Sequence, residues 1–174
     1  FNMQTEAPDC NNCPWKSFCG TYKYQHLLTK LTVKKPNKII PTKVIGIGII
    51  FNENGEVLID QRLEDGLLGG LWEFPGGKQE PNEKIQQTIY REIKEELKLE
   101  VEVNELLISF VHSYSHFKVN LNVYICRWLS GDPKPLASQK VCWVYPKDLM
   151  QYPFPAANTK IISALIKYLQ EVKK

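Results

Sequence analysis

From Lys43 onward the apolar positions switch between two periods. Val44 to Phe51 is a strand-sized apolar run carrying two glycines. Asn52-Glu53-Asn54-Gly55 reads as a turn, and residues 56–62 as a second strand. Leu71-Trp72-Glu73-Phe74 predicts a short strand that leads into a Gly-rich turn at Pro75-Gly76-Gly77-Lys78. The period then lengthens. Ile85, Ile89, Ile93 and Leu97 recur every four residues and predict a helix over about 82–98 with one buried stripe. Strands follow near 101–112, 117–129 and 141–145, and a last helix covers roughly 157–172 with Ile161, Leu165 and Leu169 on one face. Strands alternating irregularly with two helices predict an α/β sandwich with a mixed β-sheet, not a doubly wound fold.

The polar half of the first long helix changes the picture. Residues three and four apart share a helix face, so Glu92, Glu95 and Glu96 converge on the side away from the apolar stripe. Three like charges that close repel one another. A hard divalent cation removes the repulsion, since magnesium prefers carboxylate oxygens and keeps water and phosphate oxygens as its other ligands. Upstream glycines let the backbone approach an ion or a phosphate closely. The same residues also fit a solvated charged helix in which Lys84, Lys94 and Lys98 pair with the glutamates.

Composition adds bounds. With 174 residues the chain is long enough for one domain and an appendage. A formal charge of +3 is too small to argue by itself for nucleic-acid binding. No apolar run reaches the length needed to cross a bilayer, and no signal peptide is seen, so no membrane partner is expected. The first residue is Phe, so the chain is expected to begin inside a longer reading frame or to carry extra residues. Residues 1–30 hold three of the five cysteines and little periodic structure. Residues 31–42, with Lys34-Lys35-Pro36-Asn37-Lys38 and Pro41, read as a polar linker, and 43–174 as the folded domain.

Cys10, Cys13 and Cys19 have ligand-like spacing for zinc or an iron–sulfur cluster, with His26 as a candidate fourth zinc ligand. Three unligated thiols fit the spacing equally well. Cys126 and Cys142 sit in strand patterns and read as packing residues. Nothing asks for a disulfide framework, so a reducing cytoplasm is the expected location.

Gly77, Glu83 and Arg91-Glu92-Ile93-Lys94-Glu95-Glu96 stand at the spacing of the Nudix hydrolase signature, which the segment resembles at nearly every defined position. Lys98 departs from it, standing where the family pattern has Gly. The resemblance implies a Nudix-type α/β/α sandwich and pyrophosphate hydrolysis with Mg²⁺, or Mn²⁺ in its place. In that picture Glu92, Glu95, Glu96 and the Gly76 carbonyl hold metal, Arg91 orients a glutamate, and Glu83 acts behind them or on a metal-bound water. Related enzymes often carry a further acid before the strand of Trp143; here that loop is Ser138-Gln139-Lys140.

Two more motifs narrow the expected substrate. Leu71–Lys78 together with Phe154-Pro155-Ala156-Ala157-Asn158 resembles MutT-type enzymes acting on oxidised guanine nucleotides. This implies that Asn158 reads the base, that the backbone near Phe74 lines its pocket and that Arg62 contacts phosphate. Asn158 also fits an N-cap of the last helix, and Arg62 a solvated strand end. Tyr114-Ser115-His116-Phe117 resembles the aromatic–Ser–His loop of MutY-type adenine DNA glycosylases, with Ser115 at its hydrogen-bonding tip. The cysteine triplet resembles the last three ligands of that family's iron–sulfur loop, but Met3 stands where its first cysteine would be. A 4Fe–4S cluster is therefore expected only if a fourth ligand lies upstream. The two resemblances leave two expectations: hydrolysis of 8-oxo-dGTP to 8-oxo-dGMP and pyrophosphate, or non-hydrolytic recognition of 8-oxoguanine in DNA by part of a glycosylase. The base-excising chemistry itself is not expected in this chain.

Overall fold

The computed structural model describes residues 10–24, 42–66, 68–114 and 117–172. The chain parts into two units, Phe1–Ile39 and Ile40–Lys174. The described part of the first unit holds a single helical turn, α1 (Gly20–Lys23). The second unit carries β1 (Thr42–Phe51), β2 (Val57–Gln61), β3 (Trp72–Glu73), β4 (Gly76–Lys78), α2 (Ile85–Leu97), β5 (Glu100–Ser113), β6 (Lys118–Ser130), β7 (Lys140–Val144), a 3₁₀ turn at Pro146–Gln151 and α3 (Ala156–Val172).

Among the described residues one sheet runs in the order β3-β2-β1-β6-β5, with β4 paired to β1 and β7 to β2. It is mixed: β1 and β6 run parallel from Thr42↔Lys118 to Phe51↔Arg127, and the other pairs are antiparallel. Strand alternation sorts the side chains into two cores. On β1, Ile45, Ile47 and Ile49 face α3 and pack with Phe74, Val123, Ile161 and Leu165. Gly46, Gly48 and Ile50 face α2, whose Ile89, Ile93 and Leu97 are buried with Leu58 and Cys126. A methyl at Gly46 would stand 2.7 Å from Ile89 Cγ1, and one at Gly48 2.8 Å from Ile93 Cδ1. The missing side chains therefore let α2 lie close on the sheet.

The structure corrects the predicted Gly-rich turn. Gly76-Gly77-Lys78 is a strand, bonded to β1 in the register Ile47↔Gly76, Gly46↔Gly77 and Ile45↔Lys78. The chain bends instead at Phe74-Pro75, where Gly48 N–H donates to the Pro75 carbonyl at 2.9 Å. Helix α2 starts three residues later than predicted, because Asn82 takes a left-handed φ of 67° and Lys84 remains extended. The Lys84 backbone N–H is satisfied by Gln87 Oε1 at 2.8 Å. The helix ends at Lys98, whose φ of 59° and ψ of 31° are left-handed. That conformation is where Gly is favoured, which accounts for the family pattern and makes Lys98 a strained substitute.

Candidate active site

Arg91 is the hub of the α2 polar face. Its Nε donates to Glu83 Oε1 at 2.9 Å and its Nη2 to Glu83 Oε2 at 3.2 Å. Nη1 donates to Glu92 Oε1 at 2.9 Å and to Glu95 Oε2 at 3.3 Å, and Nη2 reaches the Lys78 carbonyl at 3.3 Å. Glu83 also accepts from Thr88 Oγ1 at 2.7 Å and from the Glu80 backbone N–H at 3.2 Å. The Arg91 bonds first, and the Thr88 bond second, hold the Glu83 carboxyl down to about 2. The bonds to Glu83 first, and then that to Glu92, push the Arg91 guanidinium above its ordinary range. Glu83 thus anchors Arg91, and Arg91 positions Glu92 and Glu95.

Gly77 lets this face meet the sheet. A side chain there would fall on the Glu92 carboxyl group, and one at Gly76 would fall on the Gly46 carbonyl. Gly76 has a φ of 152°, which also favours glycine.

A cleft of about 520 Å³ opens beside these strands. One wall is charged: Asp60 and Arg62 from β2 and its end, Glu73 from β3 and Glu96 from α2. The other wall is apolar and aromatic, with Ile45, Ile47, Phe74, Tyr114, Phe117, Val119 and Leu121, closed by Ala157 and Asn158 at the start of α3. Phe74 stacks on Phe154 with centroids 5.4 Å apart, and Tyr114 on Phe117 at 4.8 Å. Lys43 sits at the rim with its Nζ 5.2 Å from the Phe117 ring centre.

The charged wall is short of positive charge. Arg62 Nη1 bonds both Glu73 oxygens, at 2.8 and 2.6 Å. Burial nevertheless outweighs this pair and raises the Glu73 carboxyl. Glu96 is pushed up to about 7, first by burial and then by Glu92, Glu73 and Glu95. Asp60 is pushed up to about 8, by burial and then by Glu73 and Glu96. The Asp60 side chain is only 8% exposed as a residue and its Oδ1 meets no donor.

All these donors are hard carboxylate oxygens, and an unpaired buried one among them fits a divalent cation such as Mg²⁺. Among the described residues, no three Asp, Glu, His or Cys side chains already converge into a metal cage.

The family assignment follows from comparison. A model of the NUDIX domain matches residues 46–164. The chain belongs to the Nudix family. A CTP pyrophosphohydrolase of Escherichia coli (strain K12) is 31% identical over 120 residues, covering 69% of this chain and 89% of that protein. An 8-oxo-dGTP diphosphatase of Haemophilus influenzae is 33% identical over 122 residues, covering 70% and 90%. The crystal structure of a MutT protein from Methanosarcina mazei Go1 superposes with a TM-score of 0.68 at 25% identity, covering 78% of this chain and 99% of that one. These likenesses confirm the α/β Nudix fold, and the family match lies outside the cysteine-bearing tail.

Against this Nudix frame, the predicted residues fall into groups. Arg62, Phe74, Gly76, Glu96 and Asn158 line the cleft. Glu83, Arg91, Glu92 and Glu95 form the network behind it. Arg62 is not a solvated strand end, since Glu73 engages it. Asn158 does not cap α3, which begins at Ala156; Asn158 lies inside the first turn with its N–H bonded to the Pro155 carbonyl at 2.9 Å. Ser115, His116, His26 and Met3 lie outside the described residues. No disulfide joins the cysteines, and Cys10, Cys13 and Cys19 are not gathered into a ligand set among the described residues.

Sequence reasoning missed Asp60, Glu73 and Lys43. The available signal was alternation: Leu58, Asp60 and Arg62 share a strand face, so a buried Leu58 implied an inward-facing Asp60. In the Ser138-Gln139-Lys140 loop, Gln139 is spent on backbone, donating to the Gln61 and Arg62 carbonyls at 2.8 and 2.9 Å.

Proposed function

We propose that this chain is a Mg²⁺-dependent pyrophosphohydrolase that converts 8-oxo-dGTP to 8-oxo-dGMP and pyrophosphate. The observation that carries the reading is Asn158. It is 7% exposed and lines the cleft, yet its side-chain amide makes no hydrogen bond among the described residues. The amide opens on the cleft and is not spent on another described residue, so a ligand entering there can take its bonds. Its two faces, one donating and one accepting, match the edge of an oxidised purine, which presents a carbonyl at C8 and an N–H at N7. Unmodified guanine has an acceptor at N7, so an amide oxygen aimed there discriminates against it.

The rest of the site divides the work. Phe74, stacked on Phe154, supports an apolar wall for the base. Arg62, on the charged wall, would meet the phosphates, and Lys43 stands beside Phe117 at the other wall. Glu92, Glu95, Glu96 and the Gly76 carbonyl would hold the cation. When bound, the cation neutralises phosphate charge and activates a water for attack on phosphorus. Arg91 keeps Glu92 and Glu95 oriented, and Glu83 keeps Arg91 in place. The test is turnover of 8-oxo-dGTP, dGTP, CTP and ADP-ribose with Mg²⁺. The wild type should release pyrophosphate from 8-oxo-dGTP, and Glu96→Gln should not. No turnover of any substrate, or equal rates in both proteins, overturns the enzyme reading.

The second reading is a lesion-recognition module of a MutY-type repair protein. It is favoured by the Tyr114–Phe117 ring stack, closed by the Tyr114 N–H to Phe117 carbonyl bond at 2.9 Å, on the cleft wall. Tight binding of an 8-oxoguanine:adenine duplex, lost in Ser115→Ala, would support it. Binding no tighter than to undamaged duplex would remove it.

A further inference from the structure

Asp60 has no role in the network described above, and its surroundings are hard to explain without a ligand. It follows Val57, Leu58 and Ile59, all fully buried, on the strand next to β3. Its backbone pairs with Glu73 and Val141, so both neighbouring strands are fixed around it. Its side chain faces the α2 layer, as Leu58 does, and opens on the cleft shared with Glu96 and Glu73. The nearest cationic group in this wall, Arg62, is engaged by Glu73 through two bonds. Asp60 Oδ1 is buried and receives no hydrogen bond, on a wall where the Glu73 and Glu96 charges oppose its own and Arg62 offsets them only in part. A protein gains stability by replacing such a group with a neutral isostere unless the charge is used.

We propose that Asp60 is an oxygen ligand of a divalent cation in this cleft, acting with Glu96 from across the sheet–helix gap. The inference rests on the Nudix metal reading but adds a ligand from β2 to the α2 glutamates. A strand ligand opposite the helix gives the ion carboxylate oxygen from two sides of the cleft. It also supplies an acid on the phosphate wall where the Ser138-Gln139-Lys140 loop has none. Because the carboxylates are not already gathered into a cage, binding must draw side chains together, so metal alone should perturb the protein.

The experiment is direct Mn²⁺ binding to the EDTA-stripped full chain, read by electron paramagnetic resonance without nucleotide. It compares wild type, Asp60→Asn, Glu96→Gln and a distant control, Glu102→Gln. Asp60→Asn should weaken Mn²⁺ binding by about tenfold or more, in the range seen when groups around a metal are removed. The control should bind as wild type does. In EDTA, Asp60→Asn should melt higher than wild type, and added Mn²⁺ should raise its melting temperature less. Wild-type affinity in Asp60→Asn, with binding lost in Glu96→Gln, overturns the role of Asp60 and leaves the Nudix metal reading intact. No Mn²⁺ binding by wild type overturns both. A readout free of variants is the Asp60 ¹³C-carboxyl resonance in wild type. It should move on titration with Mg²⁺, and a resonance that stays fixed at saturating Mg²⁺ rejects the proposal.

Discussion

Gly77→Ala is a severe substitution for so small a change, and the structure says why. Gly77 has no left-handed φ, so alanine fits its backbone without torsional strain. The conflict is with Glu92: the new methyl would occupy the space of the carboxyl group. Either the strand or the glutamate must move, and overpacking of this kind typically costs about 1–3 kcal/mol. Moving the glutamate also breaks its 2.9 Å bond to Arg91, in a pair 15% and 24% exposed. A hydrogen bond to a charged group is worth roughly 1.5–3 kcal/mol, and partial exposure puts this one near the lower end. The sum is a loss of about 2.5–4.5 kcal/mol in urea unfolding. The decisive form is a double-mutant cycle. In a Glu92→Ala background the obstructing carboxyl is gone, so Gly77→Ala should cost less than about 0.5 kcal/mol. Equal destabilisation in both backgrounds, or none in either, refutes the packing argument.

Other consequences follow from single features. Lys98→Gly relieves the left-handed C-cap and should stabilise the domain by about 1 kcal/mol, a rise of roughly 2–4 °C in Tm by calorimetry. Glu83 sits at about 2, below the ordinary value of 4.5, so its bonds stabilise the fold above pH 4.5 and that contribution disappears as pH falls toward 2. The urea midpoint of wild type should therefore exceed that of Glu83→Gln at neutral pH, with the gap closing across that window. Burial pushes the Cys126 thiol up to about 12, so iodoacetamide should alkylate Cys10 and Cys13 in the native protein and Cys126 only after unfolding, as mass spectrometry can show.

Periodicity made the long elements legible because each buries one regular face. Three of the four stripe positions of α2, Ile89, Ile93 and Leu97, are buried and Ile85 is half-buried, and the apolar run of β1 is buried from Gly46 to Ile50. The acidic helix face could be read only in part: Arg91 holds Glu92 and Glu95, while Glu96 lines the cleft, a division that i, i+3 and i+4 spacing does not supply. What the pattern could not supply were contacts made across the fold. Gly76 and Gly77 suggested a turn because glycine favours turns, but here a missing side chain serves close approach of a strand to α2. Asp60 was hidden because one acid after an apolar run reads as a strand end. Only the pairing with β3 and β7 encloses it.

The central claim is that Asn158 selects an oxidised purine for pyrophosphate hydrolysis. The most direct measurement is the ratio of kcat/KM for 8-oxo-dGTP over dGTP with Mg²⁺, in wild type and in Asn158→Leu. Wild type should prefer 8-oxo-dGTP by at least about 100-fold, well inside the roughly 10⁴–10⁵-fold open to a site built to hydrogen-bond its substrate. The leucine variant should lose most of that preference while still hydrolysing both nucleotides. A preference unchanged by the substitution, or no preference in wild type, contradicts the account.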